Sequence, residues 1–360
     1  MTAPVQSPEQ AGRVLRALYA GYGYQPFRVQ KFERYELYSE FRRFLATEKV
    51  LTFTNTDGRL MAMKPDVTLS IVQTPQPEGL RKVFYHENVY REQRPGEGFR
   101  EIPQTGLECI GALDGYAVGE VVMLAAKSLA AIRDSWVLDV SHLGVVMGVL
   151  DEEDLTEEKR AAALAAVAAK NVPALRQLGL GGAAKALAGL TALYGPLSET
   201  LGQAEALPLP GRSREALGEL RALAEQIALY DLPNVHLDFS VVNDVAYYDD
   251  IVFRGFVEGA PSAVLSGGRY DKLLQRMGKT GGALGFAVYL DRLEDARAPR
   301  PACDGDLLVC YAAAEDIPLA VQTAEAARAR GETVRVQAQP PKTLRYRRVL
   351  RVQKGAVTEC

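Results

Sequence analysis

Residues 82–111, KVFYHENVYREQRPGEGFREIPQTGLECIG, decide how the rest of this 360-residue chain is read. Apolar and polar residues alternate, a Pro95-Gly96 turn interrupts, and the alternation resumes. That pattern predicts a β-hairpin. Gln104 and Glu108 are four apart on its second strand and so share one side of it. They flank Gly106, whose missing side chain is expected to open space above the sheet. A carboxylate among Leu107, Cys109 and Ile110 is costly to bury without a partner, whether from the protein or from a ligand. Arg91, Arg94 and Arg100 lie on or beside the turn, and guanidinium groups form paired bonds to carboxylate or phosphate. Such a surface suits a ligand with an anionic group and a hydrogen-bonding head.

Outward from the hairpin, helical spacing of Val14, Leu15, Leu18 and Tyr19 predicts a helix over 10–20, ended by Gly21 and Gly23. Residues 32–44 read as another helix or helical turn. VLTFTNT (50–56) and RLMAM (59–63) read as strands around the Asp57-Gly58 turn. A helix is expected over 65–71, and an apolar one over 119–135. Residues 137–150 are expected to return to strand. The stretch 151–232 is rich in Ala and Leu and broken by Pro and Gly, and reads as a helical insertion. Strands are expected at 235–242, 245–258 and 262–266, and helices at 270–277 and 285–296. These elements make a first domain over 1–296. Residues 297–304, with Pro299 and Pro301, read as a linker. A short C-terminal α/β domain is expected over 305–360, with strands at 306–312, 332–338 and 347–353 and a helix at 316–330. Strands close enough for hairpins favour an α+β fold, an antiparallel sheet flanked by helices, over a doubly wound parallel sheet.

Composition narrows the function classes. A net charge of −3 and 48% apolar residues argue against bulk nucleic-acid or anionic-membrane binding and allow a sizeable core. The four cysteines (Cys109, Cys303, Cys310, Cys360) show no metal spacing or paired framework and read as reduced thiols of a cytoplasmic protein. No signal-like N-terminus is visible and no run approaches the length of a membrane span. No metal or cofactor is expected.

Two further segments carry clustered polar residues. In MKPDVT (63–68) a carboxylate and a hydroxyl two residues apart at a helix start can bind an ammonium group, or simply cap the helix. VLSGGRYDKLL (264–274) and GGALGFAVYLDRL (281–293) are Gly-rich and are expected to open helices. Neither fits a P-loop or a dinucleotide fingerprint. Arg292 is expected on a helix face near Val288 and Phe286.

In order and spacing, these segments resemble the class II catalytic core of histidyl-tRNA synthetase over about residues 10–296. YREQRPG…QTGLE is similar to that family's FRYERPQ…QFGVE, NDVAYYDD (243–250) to RGLDYYTG, and SGGRYD with GFAVYLDRL to GGGRYD with GFAMGLERL. The resemblance implies a class II aminoacyl-tRNA synthetase-like antiparallel sheet and a homodimer. It also implies an amino-acid pocket: Asp66 (where the family has Glu), Thr68 and Gln104 toward the ammonium of histidine, Glu108 and Tyr248 toward the imidazole, and Tyr270 in the Gly-Arg-Tyr-Asp motif. Arg91 and Arg292 match the arginines that clamp ATP phosphates and are expected to persist as a vestigial anion site. Three departures bear on catalysis. Gln93 replaces an acidic residue, Asn243 replaces the catalytic arginine, and Tyr289 stands where the family has Gly. Losing a positioned charge at such a transition state typically costs about 10²–10³ in rate.

A histidine-binding core without the catalytic set, followed by only about 55 residues after Asp306, resembles the regulatory subunit of ATP phosphoribosyltransferase. That resemblance implies no catalytic residue of its own and a partnership with the short-form catalytic subunit in a hetero-oligomer. L-histidine is then the effector of feedback inhibition at the first step of histidine biosynthesis. The alternatives are an active histidyl-tRNA synthetase, or a tRNA-binding module using the basic tract KTLRYRRVLRVQK (342–354), against which the overall acidity and an ordinary charged edge strand weigh.

Overall fold

The computed structural model describes residues 5, 7–45, 49–75, 79–92, 96, 98–242, 247–295, 303–341 and 343–359. Gln93, Arg94, Pro95 and Asn243 lie outside the described residues. The chain divides into two compact units, Met1–Ala296 and Arg297–Cys360.

The first unit is built on a nine-stranded sheet. In spatial order its strands are Gln25–Pro26, Arg81–Glu92, Phe99–Gly111, Gly282–Tyr289, Leu265–Arg269, Ile251–Val257, Trp136–His142, Val235–Asp238 and Tyr194–Pro196. All pairs from Arg81–Glu92 across to Trp136–His142 are antiparallel. Parallel pairs occur only near the two ends. The expected hairpin is the pair Arg81–Glu92 and Phe99–Gly111, in register from Arg81↔Ile110 to Glu92↔Phe99.

Period-2 alternation divides the sheet into two faces. On one, Phe84, Leu107, Cys109, Leu284, Phe286 and Val288 join the larger core. The helices Pro8–Gly21 and Gly115–Ile132 contribute to the same core through Leu15, Tyr19, Val121, Leu124 and Leu129. Local chemistry starts both helices: Ser7 accepts from Gln10 N (3.2 Å) and Asp114 from Ala117 N (2.8 Å). Gly115–Ile132 is long and apolar enough to cross a membrane, but 67% of it is buried inside the fold, as expected of a core helix. On the other face Val83, Tyr85, Ile110 and Ala283 pack in a second core with the short helices Thr68–Gln73 and Asp271–Arg276. This second face carries the site.

Four sequence expectations change. Residues 285–296 do not form a helix: GALGFAVY is the strand Gly282–Tyr289, followed by the short helix Arg292–Asp295. Its small and large residues alternate with period 2, and glycine is needed where the sheet is crowded. A Cβ on Gly285 would stand 2.4 Å from the Leu107 carbonyl oxygen. Likewise SGGR lies within the strand Leu265–Arg269, with a helix only after it. The second half of 137–150 is the helix Leu143–Leu150, begun by His142, whose Nδ1 accepts from Gly144 N at 3.1 Å. A continuous apolar run such as LGVVMGVL has no periodicity to separate strand from helix. Residues 32–44 are broken into Phe32–Arg34, Tyr35–Glu40 and a 3₁₀ turn at Arg42–Phe44, because Phe32–Arg34 pairs with Leu60–Met63. Leu60–Met63 also pairs with Thr52–Thr54 about the Asp57-Gly58 turn. Residues 151–232 carry five helices, from Glu157–Ala168 to Gly211–Ile227, and the short strand Tyr194–Pro196.

The second unit has a four-stranded sheet in the order Val334–Gln337, Gly305–Tyr311, Tyr346–Gln353, Ala356–Glu359. The helix Ile317–Ala329 packs on it through Ala320, Ala324 and Ala327. The basic tract is not an edge strand, since Tyr346–Gln353 is paired on both sides. Arg347 and Arg348 form ion pairs with Asp306 and Glu332.

Candidate functional site

The site grows out of the central strand. Gln104 and Glu108 project from Phe99–Gly111 to the second face, and both are 2% exposed. The neighbouring strand supplies Gly285 opposite Glu108 and Tyr289 opposite Gln104. A Cβ at 285 would meet Glu108 Oε2 at 1.8 Å as well as the Leu107 carbonyl at 2.4 Å, and the backbone oxygen cannot swing aside. The segment before Thr68–Gln73 closes one side and is pinned by buried polar contacts. Lys64, 1% exposed, pairs with Glu87 Oε2 at 2.6 Å and donates to the Val29 carbonyl at 3.3 Å. Arg91 Nε donates to the Pro65 carbonyl.

A cavity of about 130 Å³ results. Asp66, Thr68, Gln104, Glu108, Tyr248 and Tyr270 all line it, together with Arg91. Sequence reasoning missed Tyr85, Tyr247 and Ser266, which also line it. The signal for Tyr85 was its position opposite Gly106 in the hairpin register. Gly106 does not leave open space; the Tyr85 hydroxyl lies 2.5 Å from where its Cβ would be. The aromatic wall continues through Tyr247, whose ring centroid is 4.7 Å from that of Tyr248 and 5.6 Å from that of Tyr270.

Glu108 is held by two hydroxyl donors, Thr68 Oγ1 to Oε1 (2.8 Å) and Tyr270 OH to Oε2 (2.6 Å). Burial nevertheless pushes its carboxyl up to about 8; the Tyr270 and Thr68 bonds pull it back, and nearby Asp66 adds to the rise. Thr68 is thus committed to the carboxylate at the deep end rather than to the ammonium end that the resemblance implied. Asp66 is also raised by burial, against the pull of Arg91 (Nη2 3.6 Å from Oδ2) and of backbone N–H groups, including Leu69 N at 2.8 Å. Gln104 Nε2 is buried without a hydrogen-bond partner. The cavity therefore presents two carboxyls, a guanidinium, and an amide donor awaiting an acceptor.

The two arginines expected to share an anion site part company. Arg91 lines the cavity. Arg292 does not; its guanidinium stacks 4.2 Å from the centroid of the Tyr289 ring and donates to the Ala263 carbonyl. Gln93 and Asn243, which distinguish this chain from a synthetase in sequence, lie outside the described residues.

An antiparallel core flanked by helices, with this cavity on its open face, defines a class II aminoacyl-tRNA synthetase-like protein of the histidyl type. The family model described as histidyl-tRNA synthetase matches residues 3–293. A relative from Anaeromyxobacter sp. (strain Fw109-5), an ATP phosphoribosyltransferase regulatory subunit, is 33% identical over 309 residues, covering 80% of this chain and 89% of that protein. An ATP phosphoribosyltransferase regulatory subunit/histidyl-tRNA synthetase from Bacillus halodurans C shares the fold, with a TM-score of 0.74 and 24% identity over 94% of this chain and 91% of that one. So does a chain of the ATP phosphoribosyl transferase (HisG:HisZ) complex from Thermotoga maritima, with a TM-score of 0.62 and 17% identity over 79% of this chain and 97% of that one. The chain belongs to the family of ATP phosphoribosyltransferase regulatory subunits, which places it among subunits that regulate an enzyme.

Proposed function

We propose that the cavity binds L-histidine and that its occupancy governs a short-form ATP phosphoribosyltransferase catalytic subunit with which this chain assembles. The observation that carries the reading is Gln104 Nε2, a buried donor with no acceptor, in the same cavity as the raised carboxyl of Glu108. An unsatisfied buried donor costs about 1–3 kcal/mol, and a ligand carboxylate at Gln104 Nε2, in place of the ammonium that the resemblance implied there, relieves it. Arg91 supplies a second partner for that carboxylate and Asp66 one for the ammonium. The imidazole N–H donates to Glu108, and the tyrosine wall encloses the ring. Feedback inhibition then requires histidine to bind two states of the complex unequally, typically by about 1–3 kcal/mol. A homodimeric core within a cytoplasmic hetero-oligomer completes the proposal, and a complex between the two kinds of chain is known for the Thermotoga maritima protein.

The test is calorimetry with L-histidine, followed by inhibition of the reconstituted complex. Wild type binds one histidine per cavity, and Glu108→Ala loses both binding and inhibition while still assembling. Unchanged histidine affinity in Glu108→Ala refutes the assignment.

A further inference from the structure

Beside the same cavity lies a cation that does not reach it. Tyr289 lines the cavity and stands opposite Gln104 in the sheet, while Arg292 is absent from the lining. The guanidinium of Arg292 lies on the Tyr289 ring, 4.2 Å from its centroid, and donates to the Ala263 carbonyl. The ring therefore stands between a permanently charged group and the cavity. The second arginine, Arg91, is occupied by the Pro65 carbonyl and faces Asp66. Among the described residues Arg91 is the one guanidinium in the lining, enough for a single ligand carboxylate. A phosphate chain carries several negative charges and is favoured by several guanidinium donors converging on it.

We propose that Tyr289 is a specificity-determining residue, excluding polyphosphate-bearing ligands by covering Arg292, so that the cavity admits an amino acid and not a nucleotide. This rests on the reading of the cavity as an amino-acid site and adds what that site rejects. Removing the ring would uncover Arg292 toward the cavity that Arg91 lines. The backbone of Tyr289 is fixed independently, its N donating to the Val264 carbonyl at 2.8 Å, so the side chain can be shortened without losing that bond.

Inorganic pyrophosphate is the probe, titrated calorimetrically into the full chain. Tyr289→Ala should bind it at least about tenfold more tightly than wild type, the scale of one charge-assisted bond. Tyr289→Phe, which keeps the ring, should match wild type, and Tyr289→Ala/Arg292→Ala should lose the gain. Tyr289→Val, suited to a strand, repeats the measurement if the alanine variant does not fold. Wild type binding pyrophosphate as tightly as the opened variants overturns the proposal. So does a folded variant with no gain, or a gain that survives loss of Arg292. Histidine titration of wild type separates the two readings: no binding there sinks the amino-acid site, whereas an absent pyrophosphate gain sinks only the gate.

Discussion

Glu108→Gln isolates a carboxyl whose ionisation burial opposes. Glutamine keeps the shape and can still bond Thr68 and Tyr270, but it does not ionise. In the wild type the carboxyl moves from an ordinary 4.5 to about 8 on folding, chiefly through burial. The folded state then holds the proton more tightly than the unfolded state does. Its contribution is fully present below the unfolded value and is lost as pH rises toward about 8. For these two values the linkage integral gives a loss of roughly 2–3 kcal/mol between pH 5 and 7, and about 4 kcal/mol between pH 5 and 9. At about 2 °C per kcal/mol for a unit of this size, wild type should lose roughly 5 °C in Tm relative to Glu108→Gln between pH 5 and 7. Asp66 is raised in the same direction and is present in both proteins, so its own burial cancels in the difference curve, which reports Glu108 together with the repulsion between the two carboxylates. Thermal unfolding of both, without histidine, at unit pH steps from 5 to 9 makes the comparison. Parallel Tm curves across that range would mean that Glu108 titrates where an exposed carboxylate does, and the buried-site argument would fail.

Gln104→Leu removes the orphaned donor, so it should stabilise the empty protein by about 1 kcal/mol while weakening histidine binding about tenfold; denaturation and calorimetry on one preparation check both. Gly285→Ala drives a methyl into Glu108 Oε2 and the Leu107 carbonyl, and should cost about 1–3 kcal/mol in urea unfolding and abolish histidine binding. Lys64→Met leaves Glu87 without its buried partner and should destabilise by about 3 kcal/mol, with Lys64→Met/Glu87→Leu recovering most of it; a double-mutant cycle that adds linearly would deny the coupling.

Much of this architecture could be read from the chain because its decisive features are local. Alternation through 82–111 put Gln104 and Glu108 on one face, and the Asp57-Gly58 hairpin followed from its turn. What escaped was set by distant partners. Gly282–Tyr289 is a strand because it pairs with Phe99–Gly111 on one side and Leu265–Arg269 on the other. Read alone, its glycines and apolar residues suit a helix opening. The helix Leu143–Leu150 was hidden by an unbroken apolar run. In the site, the six pocket residues were legible through motif resemblance, but the roles of Thr68 and Gly106 were not. Thr68 bonds a carboxylate forty positions away, and the space beside Gly106 is filled from the opposing strand.

The site can also be located without any resemblance, by asking where the fold is at odds with itself. Most of the second sheet face is apolar and well packed: Val83, Ile110, Ala283 and Tyr270 are nearly inaccessible. Within it stand a carboxyl raised to about 8, a second carboxyl raised beside it, and an amide donor with no acceptor. Each opposes folding of the empty protein, and their signs are complementary. The carboxyls are relieved by a cationic or N–H-donating group and the amide by an anion. A random packing defect would not place both needs within one cavity of about 130 Å³. A zwitterion with a ring donor meets all three at once, and whatever it restores appears as ligand-dependent stability, rising as RT ln(1 + [L]/Kd). Histidine should therefore raise the melting temperature more at pH 8 than at pH 5, where Glu108 is already neutral in the empty cavity; an equal shift at both would separate ligand binding from the carboxyl that defines the site.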